Sequence, residues 1–251
     1  MSLPIVTTPI YTAQLKSIKQ PVRYRPYTVK EEKIFLMAKE ATDAKDMETA
    51  VAQIIRNCTF NEIDVDKLPS FDIEYLFLQL RAKSVNNLVE LQYQCENVVT
   101  STLDDGTTTQ KKCHAAVKVS IPVDEITITT PENHTNIVKI TDELTIEFQY
   151  PTIKLISELL SKRTSDPTLS TDIIAATIKS IVESDGTVHE ARDYTKVELE
   201  EFIDALTLRQ IDACQVFFSS MPSLKYETTF TCSKCGYTEQ LVFEGLADFF
   251  D

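Results

Sequence analysis

Four cysteines in two hairpin-like settings are the residues of this chain best suited to chemistry. Cys232-Ser-Lys-Cys235-Gly236 sits between two strand-like runs, Leu224–Thr231 and Tyr237–Phe243. A C-x2-C at a tight turn aims both thiolates at one point, and Gly236 permits the backbone turn that follows. In the second setting Cys95 closes the run Leu88–Gln94 and Cys113 opens Ala115–Ile121. A hairpin with a cysteine on each arm can complete a tetrahedral sulfur site. The chemistry expected of Cys95, Cys113, Cys232 and Cys235 is therefore structural zinc. Four thiolates leave no open position for water, so such an ion holds structure and does no Lewis-acid work. The two halves lie more than a hundred residues apart, so one ion would close the middle of the chain into a loop. The 17 residues between Cys95 and Cys113 make a long hairpin rather than a compact knuckle, and His114 stands as an alternative ligand to Cys113.

Other chemistries find less support. His114, His134 and His189 are scattered and form no H-x-x-x-H or H-E-x-x-H pair. No G-x-S-x-G elbow occurs, and four glycines could hardly build a phosphate loop. Asp104-Asp105 falls in a polar loop and Glu200-Glu201 on a helix, where acidic pairs are usually solvated. The expectation is a protein that is not an enzyme. A net charge of −13 with no sustained basic run argues against a nucleic-acid binder. No window is apolar enough for a membrane span, and Met1-Ser-Leu-Pro-Ile-Val6 lacks the pattern of a secretory signal. The expected setting is the cytosol, or a particle assembled there, where clustered thiols are metal ligands rather than disulfides. Cys58 and Cys214 sit in helix-like apolar patterns and are expected to be plain buried thiols.

The elements that must position the cysteines follow from periodicity. Residues 1–27 hold four of the ten prolines and read as an extended N-terminal arm, a candidate partner contact. Thr28-Val-Lys-Glu31 is a capping-box pattern opening a helix with Ile34, Leu36, Met37, Ala38 and Ala41 on its apolar side. A second helix over Asp46–Asn57 places Met47, Val51, Ile54 and Ile55 at helical spacing. Ser70–Ser84 is the strongest amphipathic run, with Ser70 as N-cap, Asp72 and Glu74 in the first turn, and Ile73, Leu76, Phe77 and Leu80 as its core stripe. From Val85 the period shortens to about 2. Strands are expected over 88–95, 118–123, 126–129, 137–140 and 144–150, with Thr100–Gln110 as an exposed hairpin tip. Helices return over Thr152–Lys162, Ser170–Glu183, Thr195–Leu206 and Leu208–Ser219, and Ser184–His189 is a loop or small hairpin. Thr195-Lys-Val-Glu198 is a second capping box. The fold class is α+β, with helical regions flanking a strand-rich middle and two hairpins joined by the zinc site. The regions are 1–27 (arm), 28–84 (helical), 85–150 (strand-rich, first cysteine hairpin), 151–221 (helical) and 222–251. That last region is a zinc-ribbon-like hairpin and tail packing on 85–150, in which Phe249-Phe250 is a further candidate partner contact.

Several of these segments together resemble the baseplate hub proteins of T4-type contractile-tailed bacteriophages, which include a hub subunit also described as a hub assembly protein. They are Arg25–Lys33 leading into Leu36–Ala41, Ile54–Cys58, Asp72–Ser84, Tyr150-Pro-Thr152, Cys232–Gly236 and Gly245–Phe250. The resemblance covers most of the chain from about residue 22 onward, and Asp72–Ser84 is its most specific part. It implies a late viral protein that builds the central hub of the tail baseplate, resident in the virion and assembled in the host cytoplasm. Other hub proteins are the implied partners, with spike and tail-tube-initiating proteins as further candidates and neither nucleic acid nor membrane among them. The zinc assignment carries over to Cys95, Cys113, Cys232 and Cys235. The alternative is a transient hub assembly chaperone absent from the mature virion.

Overall fold

The computed structural model describes residues 6–40, 44–102, 108–155, 169–245 and 247–249. The expectations at Ala41, at the hairpin tip 103–107, over most of the helix at 152–162, and at Phe250 lie outside them. Within the described residues the chain is mixed α+β, with helices and several small sheets around three apolar cores.

The first core belongs to the N-terminal third. β1 (Tyr11–Ala13) and β2 (Val22–Tyr24) form an antiparallel pair, followed by α1 (Val29–Glu40), α2 (Ala44–Cys58) and α3 (Ser70–Ser84). Leu15, Val22 and Tyr24 are buried against Ile54, Ile55, Ile73, Leu76 and Leu80. The segment expected as a free arm is thus, from residue 11 on, part of this core: burying side chains of this size gains about 1.5–3 kcal/mol each. Asp72 anchors it. Fully buried, its two carboxylate oxygens accept the Lys16 and Ser17 backbone N–H groups at 2.8 and 2.9 Å. The first turn of α3 therefore binds another segment's backbone, a stronger role than the dipole complement expected of Asp72. Pro69, not Ser70, occupies the N-cap, and its carbonyl accepts from Asp72 and Ile73.

α1 is rotated from the expected orientation. Glu31 and Ala38 are buried and Ile34 and Phe35 partly so, whereas Leu36 and Met37 are exposed. A partly buried ion pair sets that rotation: Glu31 takes hydrogen bonds from Arg25 at 3.0 Å and from the Thr28 N–H and hydroxyl at 2.8 and 2.5 Å. Phe35 then meets the Phe77 ring at 5.5 Å, which leaves Leu36 and Met37 off the inward stripe.

α3 lies between two cores. Ile73, Leu76, Phe77 and Leu80 face the first, while Leu78 and Ala82 face the second. That second core fills the space between two small sheets. One pairs β3 (Leu88–Gln94) with β6 (Ala116–Pro122); the other, ordered β13-β12-β7, joins β12 (Ser223–Thr231) to β13 (Thr238–Glu244) and to β7 (Thr127–Thr129). Val89, Leu91, Val117, Val119 and Ile121 meet Leu224, Phe230 and Phe243. Phe249, in the short 3-10 turn Ala247–Phe249, is buried beside Phe243 with ring centroids 5.8 Å apart, inside this chain's own core. Between β3 and β6 the chain forms a further hairpin, β4 (Val98–Thr102) with β5 (Thr108–Lys112), so much of the stretch expected as a tip is strand.

The third core joins α4 (Leu169–Thr177), α5 (Lys196–Asp204) and α6 (Leu208–Ser219) to an antiparallel sheet ordered β11-β10-β9-β8. Its strands are β8 (Ile137–Lys139), β9 (Leu144–Phe148), β10 (Ile178–Glu183) and β11 (Val188–Glu190). The helix expected over Ser170–Glu183 therefore ends at Thr177, whose hydroxyl bonds back to Ile173 and Ile174 carbonyls. The run Ile178-Lys-Ser-Ile-Val-Glu183 is β-branched at three positions, and β9 offers it a partner edge, which outweighs helical spacing. The capping box of Thr195 and Glu198 is present as expected. Cys58 and Cys214 are fully buried, and burial pushes their thiols up to about 12 and about 11.

Candidate metal centre

Strand pairing brings Cys113 back to Cys95. The β3–β6 ladder ends at Gln94↔Ala116, and the β4–β5 ladder begins at Val98↔Lys112 in the same register. Between them the Cys95 N–H donates to the Ala115 carbonyl at 2.9 Å, His114 N–H to Cys95 at 3.0 Å, and Cys113 N–H to Asn97 at 2.8 Å. Every residue stepped outward from Cys95 is thus matched by one stepped back, and the long separation becomes a close diagonal pair across two strands. His114 carries φ +49° and is exposed, and the clustered donors are Cys95, Cys113, Cys232 and Cys235 without it.

The other pair sits on the turn between β12 and β13. Beyond Thr231↔Thr238 the Cys232 N–H donates to the Tyr237 carbonyl, and the Gly236 N–H closes back onto the Cys232 carbonyl, each at 2.8 Å. Gly236 has φ +72° with open space where a Cβ would stand, so glycine serves the dihedral here rather than a close approach. This turn is held over the first hairpin from both ends. At the far end Ser223, Leu224 and Lys225 pair with Thr129, Ile128 and Thr127; at the near end Lys234 Nζ donates to the Cys113 carbonyl at 3.2 Å.

The four sulfurs lie within 4.8 Å of one another. Cys95 Sγ meets Cys235 Sγ at 3.6 Å, and Cys113 Sγ meets Cys232 Sγ at 3.8 Å. A tetrahedral zinc site with Zn–S near 2.3 Å separates its sulfurs by about 3.8 Å, so the donor set fits that ion. Cys95, Cys113 and Cys232 are buried, and Cys235 is half-buried. Burial pushes Cys95 up to about 12 and raises Cys113 as well. Cys235 is drawn down to about 6 by the Tyr237 backbone N–H and then by the Asn97 amide, whose nitrogen is 3.6 Å from the sulfur. Backbone N–H groups two residues on also face Cys95 and Cys113, from Asn97 and Ala115. These donors favour thiolates, while burial in so small a space penalises several at once; a divalent cation at their centre would resolve that conflict.

Asn97 and Lys234 were not singled out from the sequence. Asn97 was nonetheless detectable, because a residue two places beyond Cys95 on an extended strand shares its face. The other histidines serve elsewhere. His134 hydrogen-bonds Ser220 and Tyr150, stacked on the aromatic cluster of the third core, and His189 bridges Glu183 and Tyr194.

The fold and site define a class: a multi-core α+β chain whose two distant hairpins meet at a largely buried cluster of four thiols. Over residues 8–251 the chain matches the family described as T4 bacteriophage base plate protein, and it belongs to that family. No curated protein and no solved structure matches it.

Proposed function

We propose that the chain is a structural subunit of the baseplate hub of a contractile-tailed bacteriophage, in which Cys95, Cys113, Cys232 and Cys235 hold a zinc ion. Membership of the base plate family across residues 8–251 is the observation that carries this reading. The zinc part is supported by the meeting of four thiols from hairpins more than a hundred residues apart. When bound there, the ion supplies a coordinatively closed crosslink, fastening the closing hairpin to the strand-rich middle. The protein acts by contact with neighbours, other hub proteins first and spike or tube-initiating proteins next, and catalyses no reaction. Its home is the tail baseplate of the virion, assembled in the host cytoplasm. A net charge of −13 disfavours nucleic acid as partner, and among the described residues no helix is long and apolar enough to cross a membrane.

Cryo-EM of purified baseplates, with quantitative mass spectrometry of virions, tests the placement. Fixed copies per particle with tetrahedral density at the four cysteines are expected. A complete baseplate lacking this chain overturns the retained-subunit reading and leaves the transient assembly chaperone. Elemental analysis of the purified chain tests the metal separately, with about one zinc per chain expected.

A further inference from the structure

We propose that the four-cysteine cluster is also a site of covalent oxidation whose thiols pair across the hairpins. Cys95 joins Cys235 and Cys113 joins Cys232, so that two disulfides keep the joint closed after the metal has left. In each pair one sulfur comes from each hairpin, and they already stand at 3.6 and 3.8 Å. Reaching a bonded separation of about 2.05 Å asks each pair to close by about 1.5–2 Å. The backbones need not come apart for this, because Lys234 bridges to the Cys113 carbonyl and the β12–β7 ladder pins the far end of the same hairpin. A local Cys232–Cys235 disulfide, by contrast, would put no covalent bond between the two hairpins.

Access sets the order of events. Cys235 is half-buried while its three companions are buried, so it is where an oxidant enters. With a disulfide oxidant such as oxidised glutathione, the Cys235 thiolate attacks one sulfur and a glutathione thiolate leaves. The Cys95 thiolate then displaces the second glutathione thiolate and forms the protein S–S bond. Exchange within the cluster then passes the bond to Cys113 and Cys232 and returns Cys95 and Cys235 as thiolates, which take up a second oxidant molecule in the same way. Two glutathione disulfides become four glutathione thiols after uptake of four protons, and the zinc ion is released. A virion component leaves the reducing cytoplasm in which it was assembled, and outside it disulfides persist. Persistence of the joint after metal loss rests on the zinc reading; the pairing itself rests on the sulfur geometry alone.

The test uses the full chain with its metal content measured, both as purified and after chelation. Each sample is treated with oxidised glutathione, alkylated, digested and mapped without reduction. Four thiols consumed per chain are expected, with cross-linked peptides Cys95–Cys235 and Cys113–Cys232. Cys58 and Cys214, both fully buried, should be recovered as alkylated thiols. In the double variant C113S/C232S the Cys95–Cys235 crosslink should still form. Cys232–Cys235 or Cys95–Cys113 as the main product overturns the pairing, as do stable glutathione adducts without protein disulfides. Cross-hairpin disulfides in a chain that carries no zinc as purified would uphold the pairing and refute the metal reading.

Discussion

If zinc sits at the four thiols as proposed, removing it should loosen one joint of the molecule and leave the other two cores standing. The sulfur pairs join residues 140 and 119 positions apart in the chain. By the chain-entropy relation, a crosslink closing a loop that long is worth about 5 kcal/mol. Structural zinc in short peptides yields about 10–16 kcal/mol, because there the ion supplies nearly all of the fold. The smaller figure applies here. After stripping, the closing hairpin is still held by its ladder to β7 and by the burial of Leu224, Phe230 and Phe243. At about 2–4 °C per kcal/mol for a chain of this size, the melting midpoint should fall by about 10–20 °C. Calorimetry with and without a chelator reads this, with metal content followed in parallel. Hydrogen exchange should rise first over residues 96–102, 108–112 and 231–238, while the amides of α2 and α3 stay protected. A midpoint change below about 2 °C at complete chelation refutes the reasoning. So would exchange that rises first in the third core.

Three further perturbations probe the frame that holds the site. Asp72→Ala leaves the Lys16 and Ser17 N–H groups without their buried acceptor and should cost about 2–4 kcal/mol in urea unfolding; a loss under 0.5 kcal/mol (about one tenth of a typical domain stability) would show that the N-terminal segment is held by other contacts. Burial alone would raise the Glu31 pKa, but hydrogen bonds from Arg25 and Thr28 bring it down to about 2 from 4.5. A depressed carboxylate contributes stability above its unfolded pKa and loses it as pH falls through the folded value. The gap between wild type and Glu31→Gln, about 3 kcal/mol at neutral pH, should therefore shrink between pH 4.5 and 2, and a gap independent of pH would disprove the assignment. Phe249→Ala should destabilise the isolated protein by about 3–4 kcal/mol, since the ring is 1% exposed and packed on Phe243; unchanged stability in unfolding experiments would return Phe249 to the role of a partner contact.

What could be read from the sequence was what depends on neighbours a few residues apart. The α3 stripe of Ile73, Leu76, Phe77 and Leu80 is buried as its i, i+3, i+4 spacing requires, and the box of Thr195 and Glu198 closes on itself. The Cys232–Cys235 turn needs only the strands on either side of it and a residue tolerant of positive φ at Gly236. The burial of Cys58 and Cys214 follows from the apolar stripes that carry them.

Tertiary structure decided whatever depended on a surface supplied from far along the chain. Ile178–Glu183 carries both helical spacing and β-branched density, and the open edge of β9 made it a strand. The rotation of α1, which exposes Leu36 and Met37, came from the ion pair that buries Glu31 with Arg25. Asp72 became an anchor because the backbone of Lys16 and Ser17 crosses over it. The cysteine types and the spacing of one pair were local facts, but their convergence was not. Register is a property of two strands rather than one. Only the matched ladders of β3–β6 and β4–β5 return Cys113 to Cys95, and only the β7–β12 pairing lays Cys232 and Cys235 over them.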